Sequence, residues 1–383
     1  MAHTEQTERH PGDGSAAGAW ARGIVVVGLL YLFLIGVSLL EGGIKGLGSD
    51  LQEELFSSVT NPVAGLCVGI LATVLAQSSS VTTATIVGLV GTGLLGVDAA
   101  VPMIMGANIG TTVTNTLASL GHVRRSNEFK GAFAAATVHD YFNVLAVSIL
   151  LPLELVTGFL SSLAEALTDV FLGGSGATFE SPIKQAVKDP ASWVESGWEA
   201  IGASGNLLGF LLIVNGLAFI FLSLAFITKN MRALVADRVE ASINAFLGKG
   251  GGVTAMVLGL VITIAVQSSS ITTSVMIPLA ASGVVTLANI YPVTLGANVG
   301  TTITALLASL ATDRPEALTI ALVHTLFNLA GILLFYPIPA LRALPIRLAT
   351  RTGEIAANRA TAVIAYIVVV FIMIPAFGVI ILR

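Results

Sequence analysis

The stretch AVQSSSITT, Ala265–Thr273, lies between VTAMVLGLVITI and SVMIPLAASGVV. One amide and five hydroxyls sit where almost everything else is apolar. A lone serine in such a run would bond back to its own helix or join two helices. Consecutive polar residues point all round a helix, so no single face hides them. In hydrocarbon they must line a cavity or lie where the helix breaks. The apolar flank before them, 254–266, is also shorter than the ~20 residues of a full crossing. A second stretch, AQSSSVTT at Ala76–Thr83, follows an equally short flank, 62–76. Both read as tips of re-entrant helical hairpins, at 77–83 and 267–273.

The remaining composition identifies the solvent. The 383 residues are 55% hydrophobic and 10% charged, with a mean hydropathy of +0.90. Soluble domains carry about a quarter charged residues, so this is an integral membrane protein. The single cysteine, Cys67, excludes an internal disulfide and a cysteine-built metal site. The histidines never fall at metal-ligand spacing, and no basic groove suits a nucleic acid. No catalytic constellation and no cofactor are expected. The chain has no GxxxxGK nucleotide loop, which leaves an ion gradient as the energy source. Residues 1–21 are polar and read as a disordered tail. Clear crossings are 22–40, 207–227 and 361–382. The regions 62–120, 131–152, 254–310 and 317–337 are apolar but interrupted. Residues 156–172 carry Glu165 and Asp169 and fit either a crossing or an interfacial helix. Polar connections lie at 41–60, 121–130, 174–203, 229–250, 311–316 and 341–360.

The two QSSS stretches belong to a duplication. A shift of 190 residues carries Gln77–Ser80 onto Gln267–Ser270, and Thr82-Thr83 onto Thr272-Thr273. It also carries GANIGTT, Gly106–Thr112, onto GANVGTT, Gly296–Thr302. A shift of 185 then carries His139 and Asn143 onto His324 and Asn328. Paired connections differ in charge. Segment 41–60 has Glu41, Asp50, Glu53 and Glu54 against Lys45, whereas 229–250 is basic through Lys229, Arg232, Arg238 and Lys249. Segment 121–130 is basic and 311–316 acidic; 174–203 is acidic and 341–360 basic. Cytoplasmic loops favour Lys and Arg, so the halves are expected upside down relative to one another. The expected organisation is repeat 1 at 22–203, ending in an extracellular loop 174–203, repeat 2 at 204–360, and a last crossing at 361–383. Both termini are then placed in the cytoplasm. Inverted repeats place a transporter's site between the halves, near the midplane.

Two further motifs carry chemistry. The glycines of GANxGTT fit small-residue helix packing. Packing needs neither the Asn nor the Thr pair, so an unwound point with carbonyls free for a cation is the alternative. His139 and Asn143 share a helix face, as do His324 and Asn328, and read as a structural hydrogen bond between the halves. Asp140 stands apart: its counterpart is Thr325, and an ionisable residue at depth in a membrane helix is functional by default.

The doubled QSSS, the doubled GANxGTT and the stretch FKGAFAAATVHDYFNVLAVSILLPLE resemble the type II sodium-dependent phosphate cotransporters, over residues 22–340. The resemblance implies an all-α polytopic membrane protein with two inverted repeats that imports inorganic phosphate on a Na+ gradient. It implies that Ser78, Ser79, Ser80, Ser268, Ser269 and Ser270 hold phosphate. It also implies that Gln77, Gln267, Thr82, Thr83, Thr272 and Thr273 build sodium sites. From the GANxGTT motifs, Asn108 and Asn298 join the phosphate set, and Thr112 and Thr302 the sodium set. Asp140 matches the position that marks electrogenic members, which adds it to the sodium set. Two departures stand out. The 174–203 segment is short and cysteine-free, as in bacterial members of the inner membrane. Where animal relatives place a Gln and an Asp for sodium, this chain has His122 and Arg125, and a cation there does not ligate Na+. Hydroxyl and amide donors alone leave open sulfate, a small carboxylate or a passive anion channel. A single protomer and a homodimer are equally open.

Overall fold

The computed structural model describes residues 16–48, 61–173, 182–247 and 251–382, and their regular structure is helical throughout. The first half contains α1 (Ala16–Lys45), α2 (Pro62–Ala76), α3 (Ser79–Thr92), α4 (Val97–Gly110), α5 (Val113–Ser119), α6 (Ser126–Thr157), α7 (Phe159–Leu172) and α8 (Pro182–Ala200). The second contains α9 (Gly205–Leu247), α10 (Gly252–Val266), α11 (Ser269–Ser274), α12 (Met276–Ala281), α13 (Leu287–Ser309), α14 (Pro315–Phe335) and α15 (Pro339–Asn358). Last come α16 (Ala360–Val368), a π-helical turn at Val369–Met373 and α17 (Ile374–Leu382). Among the described residues six helices are long and apolar enough to cross a membrane: Trp20–Lys45, Ser126–Thr157, Gly205–Arg232, Leu287–Ser309, Pro315–Phe335 and Val363–Leu382. The chain is a multi-pass membrane protein.

Glycine sets the helix contacts. A Cβ on Gly69 would overlap the Met103 carbonyl, and one on Gly106 the Leu66 carbonyl, so α2 and α4 touch backbone to backbone. The same contact recurs 190 residues on, where Gly259 faces the Val293 carbonyl and Gly296 the Met256 carbonyl. α1 and α9 cross in the same manner, Gly36 against Gly216 and Gly43 against Gly209. Small residues let backbones approach where lipid offers no hydrophobic drive between helices. This packing explains the glycines of GANxGTT. The expected unwound point is not there: α13 runs unbroken through Asn298–Thr302, and the first copy shows only a turn at Thr111–Thr112, both in the right-handed helical region. Tight backbone contact holds these segments helical, so their carbonyls stay within the helix.

Three polar connections are largely helical. In α8, Val187, Ala191, Val194 and Trp198 recur at helical spacing and dock beside Ile35, Leu39 and Leu212. α9 continues through 229–247, and α15 buries Pro345, Ala349, Gly353 and Ala356 along one stripe. Polar composition had masked these periodicities. α1 begins at Ala16, inside the segment read as a tail; residues 1–15 lie outside the described residues, as do Asp50, Glu53, Glu54 and Lys249. Gly158, at φ +61°, ends α6 and starts α7. α7 has 14 residues. That spans about 21 Å, too short to cross a core of about 30 Å. The Glu154 carboxylate caps it, accepting from the N–H groups of Leu160 (2.6 Å) and Ser161 (3.1 Å).

Candidate functional site

The site is built on two corners of the same shape. α2 ends at Gln77 (φ 50°, ψ 26°), and Ser78 turns extended before α3. α10 ends at Gln267 (φ 55°, ψ 31°), and Ser268 does the same before α11. Among the described residues these glutamines are the only non-glycine positions with positive φ. A left-handed conformation costs a side-chain-bearing residue ~1–2 kcal/mol, which glycine would avoid. The amide offsets it. Gln77 Nε2 donates to the Val74 carbonyl (2.6 Å) and Gln267 Nε2 to that of Ile264 (2.7 Å), each closing the last turn of its helix. Gln77 Oε1 in turn accepts from Thr114 Oγ1 (3.4 Å), and Gln267 Oε1 from Thr304 Oγ1 (3.1 Å).

The serines follow. Ser78 Oγ caps α3 by accepting from the Val81 N–H (3.3 Å), and Ser268 Oγ caps α11 by accepting from that of Ile271 (3.4 Å). Both hydroxyl hydrogens remain free to donate elsewhere. The N–H groups of Ser79, Ser80, Ser269 and Ser270 begin their helices and have no intrahelical acceptor. Such a helix start favours an anion. All six serines, with Gln77 and Gln267, line one cavity of about 230 Å³. Phe221, Leu224, Ala225 and Thr228 of α9 form its other wall, and none of its lining residues is charged. Thr304 Oγ1 joins the corners, since it also lies 3.5 Å from Ser80 Oγ.

The remaining candidates fall into three places. Thr82, Thr83, Thr272 and Thr273 lie one turn beyond the corners. Their hydroxyls reach back to the carbonyls of Ser78 (3.2 Å), Ser80 (3.4 Å), Ser268 (3.2 Å) and Ser269 (2.8 Å). Asn115 ties α5 to α11 through Thr273 (2.7 Å) and Ser274 (3.1 Å). Asp140 is buried; its Oδ2 accepts from Tyr366 Oη (2.8 Å) and lies 3.5 Å from Thr116 Oγ1, while Oδ1 has no partner. A dry carboxylate oxygen among hydroxyls suits a hard cation. Asn108 and Asn298 lie in neither place. They join His139, Asn143, His324 and Asn328 in a buried network away from the lining of the cavity. Thr112 and Thr302 bond to the carbonyls of Ile109 and Val299 (2.8 Å each). His122 and Arg125 both pair with Glu128 at the start of α6 (3.3 and 3.0 Å).

Sequence reasoning missed Thr114 and Thr304, although they are a repeat pair two residues beyond each Gly-Thr-Thr. It missed Asn115, whose counterpart Ala305 marks the same asymmetry as Asp140. Tyr366 lies beyond the duplicated region and carried no signal.

Comparison with known proteins gives the family. A family model described as Na+/Pi-cotransporter matches residues 32–171 and 208–344. Sodium-dependent phosphate transport protein 2A of Rattus norvegicus is 35% identical over 93% of this chain and 67% of its own length. Sodium-dependent phosphate transport protein 2B of Homo sapiens is 32% identical over 92% of this chain and 64% of its own length. The chain thus spans about two thirds of the length of these relatives. No solved structure matches it. The two matched blocks each carry one QSSS corner and together cover most of the sequence, and the chain belongs to the Na+/Pi-cotransporter family.

Proposed function

We propose that this protein imports inorganic phosphate, as the dianion, together with Na+ across the cell membrane by alternating access. The observation that carries the reading is the single uncharged cavity onto which both QSSS corners open. Hydroxyl and N–H donors suit a tetrahedral oxyanion. No lysine or arginine lines the cavity to repay the dehydration of two negative charges, which is large. The countercharge must therefore arrive with the substrate, and that requirement is the coupling. Ser78–Ser80 and Ser268–Ser270 hold phosphate. Gln77, Gln267, Thr82, Thr83, Thr272, Thr273 and Asp140 supply oxygen to sodium, and Thr112 and Thr302 join them on turning from their own carbonyls. Asn108 and Asn298 act as positioning residues. One protomer holds both corners, so transport requires no homodimer.

The polar connections support inverted repeats and re-entrant hairpins. Lys184 bridges Glu41 and Asp313, gathering three acidic connections at one end. Lys130 pairs with Glu354 (2.9 Å), joining two basic connections at the other. The basic end is cytoplasmic. The end of α3 packs at the acidic end, Gly93 against Arg314, and that of α12 at the basic end, Ala280 against Gly131. The two hairpins then enter from opposite sides. The cavity wall on α9 lies in the inner half of its membrane-spanning part, Gly205–Arg232, and the Glu41–Lys184–Asp313 cluster ties the outer ends together, so we read the carrier as inward-facing.

On the same frame we propose an outer C-terminus, in place of the cytoplasmic one expected from the sequence. The α4–α5 pair matches α13 and would add a seventh crossing to the six helices long and apolar enough to span among the described residues. The last one runs from Tyr366, beside Phe133, to Gly378, against Cys67 near the outer start of α2. An Ile381→Cys reporter on a Cys67→Ser background should be labelled by an impermeant thiol reagent from outside; labelling only from inside removes the seventh crossing.

In proteoliposomes, labelled phosphate should accumulate only under an inward Na+ gradient. Uptake that ignores sodium sinks the symport reading, and full competition by sulfate moves the substrate to another oxyanion.

A further inference from the structure

The duplicated His, Asn and Asn residues form one hydrogen-bond motif twice, and the two copies are in different states. In the first, His139 Nε2 lies 2.6 Å from Asn298 Oδ1, and Asn298 Nδ2 donates to Asn143 Oδ1 at 2.7 Å. Asn143 Nδ2 donates to the Asn108 carbonyl at 2.9 Å. The repeat exchanges 108 with 298, 139 with 324, and 143 with 328. Under that exchange the first bond becomes His324 Nε2 to Asn108 Oδ1, which is stretched to 3.4 Å. The third becomes Asn328 Nδ2 to the Asn298 carbonyl, also 3.4 Å. The second would join Asn108 Nδ2 to Asn328 Oδ1. That bond is not made, and both atoms are buried without any partner.

All six side chains are buried. A buried amide without a partner costs about as much as a hydrogen bond contributes, so the open half is a standing penalty. It is also a penalty that the mirror arrangement would move to the other half, at similar energy. The geometry points to a two-position latch: the half through Asn143 is closed in the inward-facing carrier, and the half through Asn328 closes in the outward-facing one. The residues lie on α4 and α6 of the first repeat and α13 and α14 of the second, which pack against one another across the repeat boundary. Exchanging one closed half for the other keeps the number of buried bonds constant and the two states close in free energy. An equilibrium that a bound ligand must shift has to be balanced in this way. The latch rests on the alternating-access reading, not on the identity of the substrate.

The sign follows from the bonds. Removing the Asn143 amide takes bonds of 2.7 and 2.9 Å from the inward state, whereas in the mirror it would lose only those that Asn328 makes here, 3.4 Å to the Asn298 carbonyl and 3.2 Å to the His324 carbonyl of its own helix, so it favours the outward state. Removing the Asn328 amide does the reverse. A Thr228→Cys reporter, on a Cys67→Ser background, lies in the inner half of the cavity wall and reports the inward state. In proteoliposomes, its labelling by an impermeant thiol reagent trapped inside should slow about threefold in Asn143→Ala, because one net buried hydrogen bond shifts a balanced equilibrium about fivefold. In Asn328→Ala it should quicken, up to about 1.7-fold from a balanced equilibrium. The pair Asn143→Ser and Asn328→Ser gives the same comparison with a smaller void if an alanine variant does not fold. Shifts in the same direction, or no shift at Asn143, overturn the latch. Labelling needs no phosphate. Opposite shifts without sodium-driven uptake would therefore keep the latch and sink the substrate reading, and uptake without opposite shifts would do the converse.

Discussion

With a membrane potential of about 100 mV, inside negative, phosphate accumulation should rise about 50-fold for each net charge moved, and in Asp140→Gly that dependence should vanish. The prediction rests on an imbalance between the halves. Every hydroxyl and amide of the corners has a counterpart 190 residues away, but the counterpart of Asp140 is Thr325. Its carboxylate keeps one oxygen without a partner in a buried setting, and only hydroxyls approach the other. An uncompensated charge there is costly, and a sodium ion is the available countercharge. The cycle then carries one more cation than phosphate alone requires. Deleting the carboxylate removes that cation and the net charge together. Glycine inside α6 also costs ~1 kcal/mol of helix stability, so Asp140→Thr, which copies the second half, is the better-folded control. Both variants should keep sodium-driven uptake and lose potential dependence. Uptake that responds to voltage as before would take Asp140 out of the transport cycle.

Gly296→Val should abolish uptake and lower the thermal midpoint in detergent by several degrees. A Cβ at this position overlaps the carbonyl of Met256, which belongs to backbone and cannot rotate away as a side chain would. Overpacking typically costs ~1–3 kcal/mol, and backbone overlap puts this site at the upper end or beyond. α10 must then separate from α13, and α10 carries Gln267 and Ser268 at its end. The second corner shifts away from Thr304, which links it to Ser80. Gly251→Ala is the control, because a Cβ there meets nothing within 4 Å. Equal thermal midpoints and equal uptake for the two variants would show that the glycine contact does not hold the corner in place.

What could be read from sequence depended on whether a signal was local. The QSSS corners were legible because consecutive polar residues cannot be hidden on one helix face. The membrane setting was legible from composition. The helix at 339–358 was not, because its buried stripe is made of alanine, glycine and proline within polar surroundings, and that at 182–200 was not, because Val187, Ala191, Val194 and Trp198 are scattered among charged and polar residues. The partners of Asn108 and Asn298 are histidines and asparagines 30 or more positions away, which no local pattern reveals. Tyr366 reaches Asp140 from outside the duplicated region, so the repeat could not announce it.

The bareness of the cavity also governs leakage. A lysine or arginine between the corners would hold phosphate whether or not sodium were present. The loaded carrier could then turn without its cations and let the store drain outward. With serines, glutamines, one threonine and apolar side chains alone, phosphate without sodium finds no countercharge and stays in water. By reciprocity, phosphate must raise the affinity for sodium by the factor that sodium raises the affinity for phosphate. On the proposed alternating-access cycle the carrier turns when empty or fully loaded, and what its walls lack keeps the gradient from running down.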